Sequence, residues 1–292
     1  MIKIGRIVSK TTKATLLFLR GRSLRLATEP PFRLFVKGII KALPTSIRTK
    51  ANWDAVDRPH YLVGVLGAVD EAAREGISEI SVIEFGVAGG NGLLALEKYA
   101  AAVEGETGVR IAVYGFDNGG GLPKLLADHR DHPDQWRAGD FPMDEQLLRK
   151  RLSTRTTLLI GDVKETVPKF VQQTQSPPVG FVAVDLDLYS STKDALQIFL
   201  LSGKRMLRRV VMYFDDVHLF YNHRFAGELL AIEEFNESND QVKIDHWRGI
   251  ANSRVFPESF WVQNMYVAHD IESITKVNLN RPARNRGTLL SS

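Results

Sequence analysis

The sequence predicts an α/β protein: a doubly wound, mostly parallel sheet of seven strands with a helical extension at its N-terminus. Short apolar runs alternate with segments whose apolar residues recur at helical spacing, and repeated strand–helix units of this kind form parallel sheets covered by helices on both faces. The first apolar run passes into a helix through a glycine-rich turn, and the last two runs have the pattern of a closing pair of strands.

The first 50 residues form a basic arm. They contain twelve Lys or Arg and a single acid, Glu29, for a net charge of +11; because the whole chain carries +4, the remainder carries −7. Pro30, Pro31 and Pro44 interrupt the arm, so we expect two short helices within an extension that covers residues 1–58. This extension could pack on its own domain, form a homo-oligomer or lie on an anionic membrane. Nucleic acid is a weaker candidate, because few aromatic residues are interleaved with the charges.

Composition excludes several kinds of chemistry. The chain has no cysteine, so disulfides, thiolate zinc sites and cysteine nucleophiles are ruled out. No apolar run reaches the roughly 18 residues of a membrane-spanning helix, and no small-residue cleavage site follows the basic N-terminus. We therefore expect a cytoplasmic protein, which would be membrane-peripheral if the arm binds lipid.

The domain itself is predicted to cover residues 59–272, followed by a tail at 273–292. A helix is expected first, at 61–74, because its apolar residues have a helical period and Gly76 follows. Strands are then expected at 80–85, 111–116, 157–160, 180–186, 210–214, 242–247 and 260–268. Helices are expected between them at 93–103, 165–173, 191–200 and 227–236.

An insertion at 119–153 separates the second and third predicted strands. Long irregular loops inside compact domains are commonly functional, so we predict that this insertion is a lid over a binding site. Its rings would suit stacking against an acceptor or anchoring of the lid itself; they belong to His129, His132, Trp136 and Phe141.

The glycine-rich turn has the spacing E-x-G-x-x-x-G-x-G, with Glu84, Gly86, Gly90 and Gly92 at its marked positions. Glycines at a strand-to-helix turn let a ligand approach the backbone, and the amides at the helix start are free to donate. The spacing is not the G-x-G-x-x-G of dinucleotide-binding proteins, and Glu84 would repel a diphosphate. A cofactor with a cationic amino-acid portion, S-adenosylmethionine, fits better; a glycine turn without a ligand is the alternative.

Acidic residues follow the next two strands. In an open parallel sheet ligands bind at the carboxyl ends of the strands, so Asp117 is placed to accept hydrogen bonds from ribose hydroxyls. Asp162 and Val163, after the third strand, are placed at the edge of an adenine. Each acid could instead cap a following helix.

Four aspartates follow the fourth and fifth strands: Asp185, Asp187, Asp215 and Asp216. Carboxylates at adjacent strand ends repel one another and raise their own pKa values unless a cation lies between them. A hard divalent ion such as Mg²⁺ would resolve the conflict, because it prefers oxygen ligands. The alternative is that Asp187 and Asp216 cap the following helices.

Taken in order, these segments resemble those of class I S-adenosylmethionine-dependent methyltransferases, which have a Rossmann-like fold. The similarity spans about residues 60–270 and is greatest to the macrocin O-methyltransferase family, which methylates sugar hydroxyls with magnesium. The matching segments are 84–92, Asp117, 161–163, 185–196 and Asp215-Asp216. Leu186 departs from the family, which usually has glycine there, and the basic arm and the lid are not shared.

The resemblance implies a role for each site residue. The methionine portion would be held by Glu84, Gly86, Val87, Gly90 and Gly92, the ribose by Asp117, and the adenine by Asp162 and Val163. The metal would be held by Asp185, Asp215 and Asp216, with Asp187 as a further ligand or as a neighbour that orients one. The candidates for the general base are Asp185, Asp187 and His218, with His223 as another histidine near the same strand end.

The sequence therefore predicts a metal-dependent O-methyltransferase acting on a hydroxyl of a sugar or other small molecule. Methyl transfer is an in-line displacement in which the protein mainly aligns donor and acceptor, and a metal-bound hydroxyl loses its proton more readily to a nearby base. The alternative is a non-catalytic cofactor-binding or membrane-peripheral scaffold that uses the basic arm. A nicotinamide-dependent oxidoreductase is disfavoured by the glycine spacing and by Glu84.

Overall fold

The computed structural model describes residues 31–173, 175–201, 205–219 and 221–278. The strands are β1 (Glu79–Phe85), β2 (Arg110–Asp117), β3 (Thr156–Ile160), β4 (Val179–Val184), β5 (Met206–Phe214), β6 (Val242–His246) and β7 (Met265–Asp270). They form one sheet in the order β3-β2-β1-β4-β5-β7-β6, in which β7 runs antiparallel to both β5 and β6 and all other pairs are parallel. The predicted fold class is confirmed.

Helices cover both faces of the sheet. They are α1 (Phe32–Ala42), α2 (Ile47–Asn52), α3 (Pro59–Glu75), α4 (Asn91–Thr107), α5 (Glu145–Arg151), α6 (Val163–Gln173), α7 (Tyr189–Leu196), α8 (Ile198–Leu201), α9 (Gly227–Ser238) and α10 (Ile271–Thr275). Because side chains alternate along a strand, Val82 packs in the hydrophobic cluster of α3 and α4, while Ile83 packs in the cluster of α6, α7 and α9. The strand order reverses between β1 and β4, and a crevice is expected there.

Two predicted elements differ from the structure. The helix expected at 191–200 is two helices, α7 and α8, separated at Gln197. The strand expected from 260 begins only at Met265, because Phe260–Asn264 is a 3₁₀ turn. This apolar stretch is held by tertiary contacts instead of a strand partner, since the Trp261 indole and the Ser259 hydroxyl both donate to Asp54.

The described part of the N-terminal extension contains α1 and α2. The helix α1 matches the second of the two predicted helices, whereas the first falls outside the described residues. The helix α2 was not predicted; the Ser46 side chain caps it by accepting a hydrogen bond from the Thr49 amide. Among the described residues, no helix combines the length and the apolar character that crossing a membrane requires.

The insertion at 119–153 is more ordered than an irregular loop. It contains α5 and a 3₁₀ turn at His129–Asp131. Asp131 is fully buried and accepts hydrogen bonds from the Leu126 amide and from both the amide and the hydroxyl of Ser190. This carboxylate therefore fastens the insertion to the start of α7.

Candidate active site

A cavity of about 380 Å³ lies at the carboxyl ends of β1 to β5, within the size range of small-molecule sites. The glycine turn after β1 and the ends of the other parallel strands form its wall, and the insertion contributes Trp136 and Phe141. Among the described residues, seven aspartates line it and no Lys, Arg or His does; the aspartates are Asp117, Asp140, Asp162, Asp185, Asp187, Asp215 and Asp216. The cavity is therefore strongly acidic.

The glycines of the turn are required mainly by internal packing. A Cβ atom on Gly86, whose φ is +83°, would lie 1.7 Å from the Asp185 carbonyl oxygen. A Cβ on Gly90 would lie 2.3 Å from a methyl group of Leu148 on α5. A Cβ on Gly92 would lie 1.8 Å from a carboxylate oxygen of Glu84.

Only one of the residues of this turn that were predicted to bind the cofactor lines the cavity. Gly86 lines the cavity together with Ala88, whereas Val87, Gly90 and Gly92 are not among the lining residues. Their predicted contacts with a cofactor stay predictions.

Glu84 lies beneath the turn and does not line the cavity. Its side chain is 1% exposed; one carboxyl oxygen accepts a 2.5 Å hydrogen bond from the Tyr61 hydroxyl, and the other has no partner among the described residues. Burial, followed by the negative charges of Asp185 and Asp117, raises the pKa of Glu84 to about 8, although Tyr61 and Arg58 act in the opposite direction. Glu84 was predicted to contact a ligand's amino group, but in this arrangement its side chain does not reach the cavity.

The protonation of Glu84 makes stability depend on pH. Between its usual pKa of 4.5 and its folded pKa of about 8, the folded chain holds a proton that the unfolded chain releases. The free energy of unfolding therefore falls as pH rises through this window, by up to about 1.4 kcal/mol per pH unit for this group. Glu84→Gln keeps the shape of the neutral side chain. We expect it to reduce the slope of unfolding free energy against pH by that amount, as measured by urea unfolding at a series of pH values.

The low end of the titration is the internal control for this variant. Below pH 4.5 both states of the wild-type chain hold the proton, so the difference in unfolding free energy between the two proteins should be constant there. Equal slopes for the two proteins between pH 4.5 and 8 would show that Glu84 ionises normally in the folded chain.

Asp117 and Asp162 lie on the cavity wall, where the sequence placed them. One Asp117 oxygen accepts hydrogen bonds from the Val87 and Ala88 amides, at 2.9 and 2.8 Å, and the other accepts from the Gly119 amide at 2.6 Å. Asp117 therefore holds the glycine turn against the end of β2. Asp162 accepts from the Lys164 amide at the start of α6, so the capping interpretation holds for one of its oxygens. Val163 lies beside it on the wall.

The four aspartates after β4 and β5 come together on the cavity wall. Burial, and then the charges of Asp215 and Asp216, raises the pKa of Asp185 to about 8. Burial likewise raises the pKa of Asp187 to about 7, and the pKa of Asp216 well above its usual range. Asp187 and Asp216 are close enough for each side chain to shift the pKa of the other.

The capping interpretation of Asp187 and Asp216 is wrong. The residues at the N-terminal ends of α7 and α9 are Leu188 and Ala226, and neither helix has a side-chain cap. Asp187 instead has a φ of +60°, a conformation that non-glycine residues adopt at a cost and that is concentrated at functional sites.

Several residues of the site were not identified from the sequence. Glu228 is 1% exposed, accepts a 3.1 Å hydrogen bond from the Asp216 amide and has one oxygen without a partner. Its burial raises its pKa well above the usual range. In the sequence, Glu228 is an acidic residue in the first turn of a helix, where acidic residues are common. No feature of the sequence therefore marked it as part of the site.

The start of α3 faces the acids from the other side. The charge of Arg58 acts on Asp185 and Glu84; burial alone would lower the Arg58 pKa, but these acids, Tyr61 and Asp215 raise it. His60 stacks on Tyr213 with ring centroids 4.1 Å apart, and the Tyr213 hydroxyl donates to Asp215 at 2.6 Å.

His60 itself is uncharged in this environment. Burial, followed by the nearby Arg58 charge, lowers its pKa to about 3, and neither ring nitrogen has a hydrogen-bond partner. Its contribution to the site is therefore packing against Tyr213.

The acids fit a hard divalent cation by chemical type. Carboxylate oxygens are the ligands that Mg²⁺ prefers, and a buried Asp216 oxygen has no partner. Among the described residues, however, no group of three or more His, Asp or Glu side chains already has an arrangement that holds a metal. The donor set is present, but its oxygens are not arranged for coordination.

The predicted histidines lie away from the acids. His218 is exposed, and its Nε2 atom is 3.2 Å from the Gln263 carbonyl oxygen. His223 packs against His132, with ring centroids 5.3 Å apart. Neither lines the cavity, so the structure brings Asp185 and Asp187 to the site but not His218.

Comparisons with known proteins bear on the fold. The O-methyltransferase NovP superimposes with a TM-score of 0.50 at 15% identity, covering 80% of this chain and 93% of NovP. The calicheamicin methyltransferase CalS11 gives 0.48 at 20% identity, with 76% and 90% covered. TomG of Streptomyces achromogenes, an O-methyltransferase solved with S-adenosylmethionine, gives 0.43 at 13% identity, with 80% and 95% covered. No protein-family model and no curated protein sequence matches the chain.

The similarity to NovP and the strand order define the class of fold. The chain has the Rossmann-like fold of methyltransferases, with a seven-stranded sheet in which, among the described strands, only β7 runs against the direction of the others.

Proposed function

We propose that this chain is an S-adenosylmethionine-dependent O-methyltransferase that acts on a hydroxyl of a sugar or other small molecule and uses a divalent cation. The observation that carries the proposal is the acidic cavity at the carboxyl ends of the parallel strands. The part of the wall that the structure describes has seven aspartates and no basic residue, which disfavours phosphate groups and favours a cationic ligand. This argues against a nicotinamide dinucleotide and for a sulfonium that also carries an ammonium group.

Different residues of the wall would hold the cofactor and the metal. Asp117, with the turn that it holds, would face the ribose, and Asp162 with Val163 would face the adenine. When bound, S-adenosylmethionine would supply the methyl group: an O–CH₃ bond would form at the acceptor as the S–CH₃ bond breaks, S-adenosylhomocysteine would leave, and the acceptor's proton would pass to a base. The metal would be held by Asp185, Asp215 and Asp216, and would lower the pKa of an acceptor hydroxyl.

Asp187 is the best-placed candidate for the general base. In the metal-free protein its pKa is raised to about 7, first by burial and then by the charge of Asp185. It lies on the wall beside Asp216, whereas His218 lies outside the cavity.

The acceptor portion of the cavity is formed by the insertion. Trp136 and Phe141 line it with their ring centroids 6.0 Å apart, and flat rings suit contact with the apolar face of a sugar. Together with the motif resemblance to the macrocin O-methyltransferase family, this supports a sugar hydroxyl as the acceptor.

Isothermal titration tests the cofactor. We expect saturable binding of S-adenosylmethionine and S-adenosylhomocysteine, and none of NADH. Asp162→Asn should weaken binding roughly tenfold by removing a charge-assisted hydrogen bond. The matched control is Asp134→Asn, an exposed aspartate of the insertion that does not line the cavity. Binding of NADH without binding of either sulfur nucleoside would refute the proposal.

A further inference from the structure

The helix α1 has its apolar side turned away from the body of the protein. Four exposed apolar side chains at i, i+3, i+7 and i+11 form a stripe along one side of the helix; they are Phe32, Phe35, Ile39 and Leu43. Phe35 is 70% exposed and Phe32 is 56% exposed. Apolar side chains at this spacing normally face a core.

The opposite side of α1 holds the helix to the body through charged groups. Arg33 donates to the Val255 carbonyl oxygen and pairs with Glu258, while Arg33 and Lys37 both lie 5.1 Å from the centre of the Phe256 ring. Of the residues in α1, only Ile40 is buried. The amphipathic helix is therefore docked by its polar side, which leaves its apolar side for another surface.

Charge indicates what that surface is. The helix contains three basic residues and no acid, and the 30 residues that precede it contain seven basic residues against Glu29 alone. A second copy of the chain would bring an equally basic segment to the same place, which like-charge repulsion disfavours. An anionic bilayer provides both an apolar interior for the stripe and negative charge for the flanking cations.

We propose that α1 binds the surface of an anionic lipid bilayer, with the stripe Phe32, Phe35, Ile39 and Leu43 inserted at the interface. This inference does not depend on the proposed methyl transfer.

Vesicle co-sedimentation of the full chain tests the proposal. We expect binding to vesicles of phosphatidylcholine mixed with phosphatidylglycerol, release by salt, and little binding to phosphatidylcholine alone. The triple variant F32S/F35S/I39S should bind roughly tenfold more weakly or worse, because it removes most of the apolar area that inserts. It should retain the wild-type affinity for S-adenosylhomocysteine, so a failure here is distinct from a failure of the cofactor assignment.

The matched control is the triple variant L147S/L201S/I271S, which removes similarly exposed apolar side chains elsewhere on the chain and should bind as the wild type does. The proposal is overturned if F32S/F35S/I39S binds like the wild type, or if neutral vesicles bind equally well. Self-association that is lost in F32S/F35S/I39S would assign the stripe to a second copy instead. A fall in the unfolding free energy of this variant would assign it to residues 1–30 of the same chain.

Discussion

Replacing Asp215 and Asp216 together by Asn should abolish metal-dependent turnover while stabilising the metal-free protein. Asp216 is 5% exposed, lies against Asp187 and Glu228, and has a buried oxygen without a partner. The raised pKa of Asp216 means that the folded protein disfavours the negative charge on this side chain. At pH values above the ordinary pKa of an aspartate, this lowers the free energy of unfolding. Its neutral isostere should therefore raise the free energy of unfolding of the metal-free protein at neutral pH.

The double variant should also lose the stabilisation that a divalent cation gives to the wild type. A cation that binds only the folded chain stabilises it by mass action, so MgCl₂ should raise the melting temperature of the wild type but not that of the double variant. Affinity for S-adenosylhomocysteine should be nearly unchanged, because neither side chain is predicted to hold the cofactor. The experiment compares thermal melts with and without MgCl₂ and turnover on a sugar acceptor.

A matched pair of exposed aspartates serves as the control. Asp134→Asn with Asp240→Asn removes the same charge from the surface and should change the unfolding free energy by less than about 0.5 kcal/mol. If the site variant melted like the wild type with and without MgCl₂, and turned over equally, the metal role of these aspartates would be excluded.

Gly86→Ala should have the largest effect on stability of any single substitution in the glycine turn. A β-carbon would have to lie 1.7 Å from the Asp185 carbonyl oxygen, which belongs to the backbone and cannot rotate aside. The φ of +83° adds a strain of about 1–2 kcal/mol for a non-glycine residue. We expect a loss of roughly 3 kcal/mol or more in urea unfolding, since large values arise from such backbone conflicts.

The same substitution should also weaken cofactor binding. Separating the ends of β1 and β4 would move Gly86 and Asp185, which both line the cavity. Gly89→Ala is the matched control three residues further along the turn, where a Cβ would have no neighbour within 4 Å and φ is not positive. It should be neutral or slightly stabilising. Equal stability of the two variants would mean that β1 and β4 do not approach as closely as described.

The sequence predicts those parts of the site that follow from strand topology, but not those that depend on contacts between residues far apart in the chain. The aspartates after β2, β3, β4 and β5 were placed correctly because parallel strands bring their carboxyl ends to one edge, whatever their separation in the chain. The location of Glu84 was predicted less well. Its burial depends on Tyr61 from α3 and on the approach of Gly92, and neither contact has a local signature.

The histidines and the last strand show the same limit. His218 follows Asp216 by two residues, yet the chain turns after β5 and carries its ring toward Gln263. The apolar run at 260–264 has the composition of a strand, but Asp54 holds two of its neighbouring side chains in a 3₁₀ turn. Contacts between residues some 200 positions apart decided both the turn and the role of Asp54.

The pattern of the chain alone thus established the α/β class, the parallel sheet and the edge at which the acids gather, because strand and helix periodicity and the direction of parallel strands are local or topological properties. Only the packed molecule decided which of those acids face the cavity, which have a raised pKa and which lie beneath the turn. Burial and charge proximity determine protonation, and both arise from side chains that the fold brings together from distant parts of the sequence.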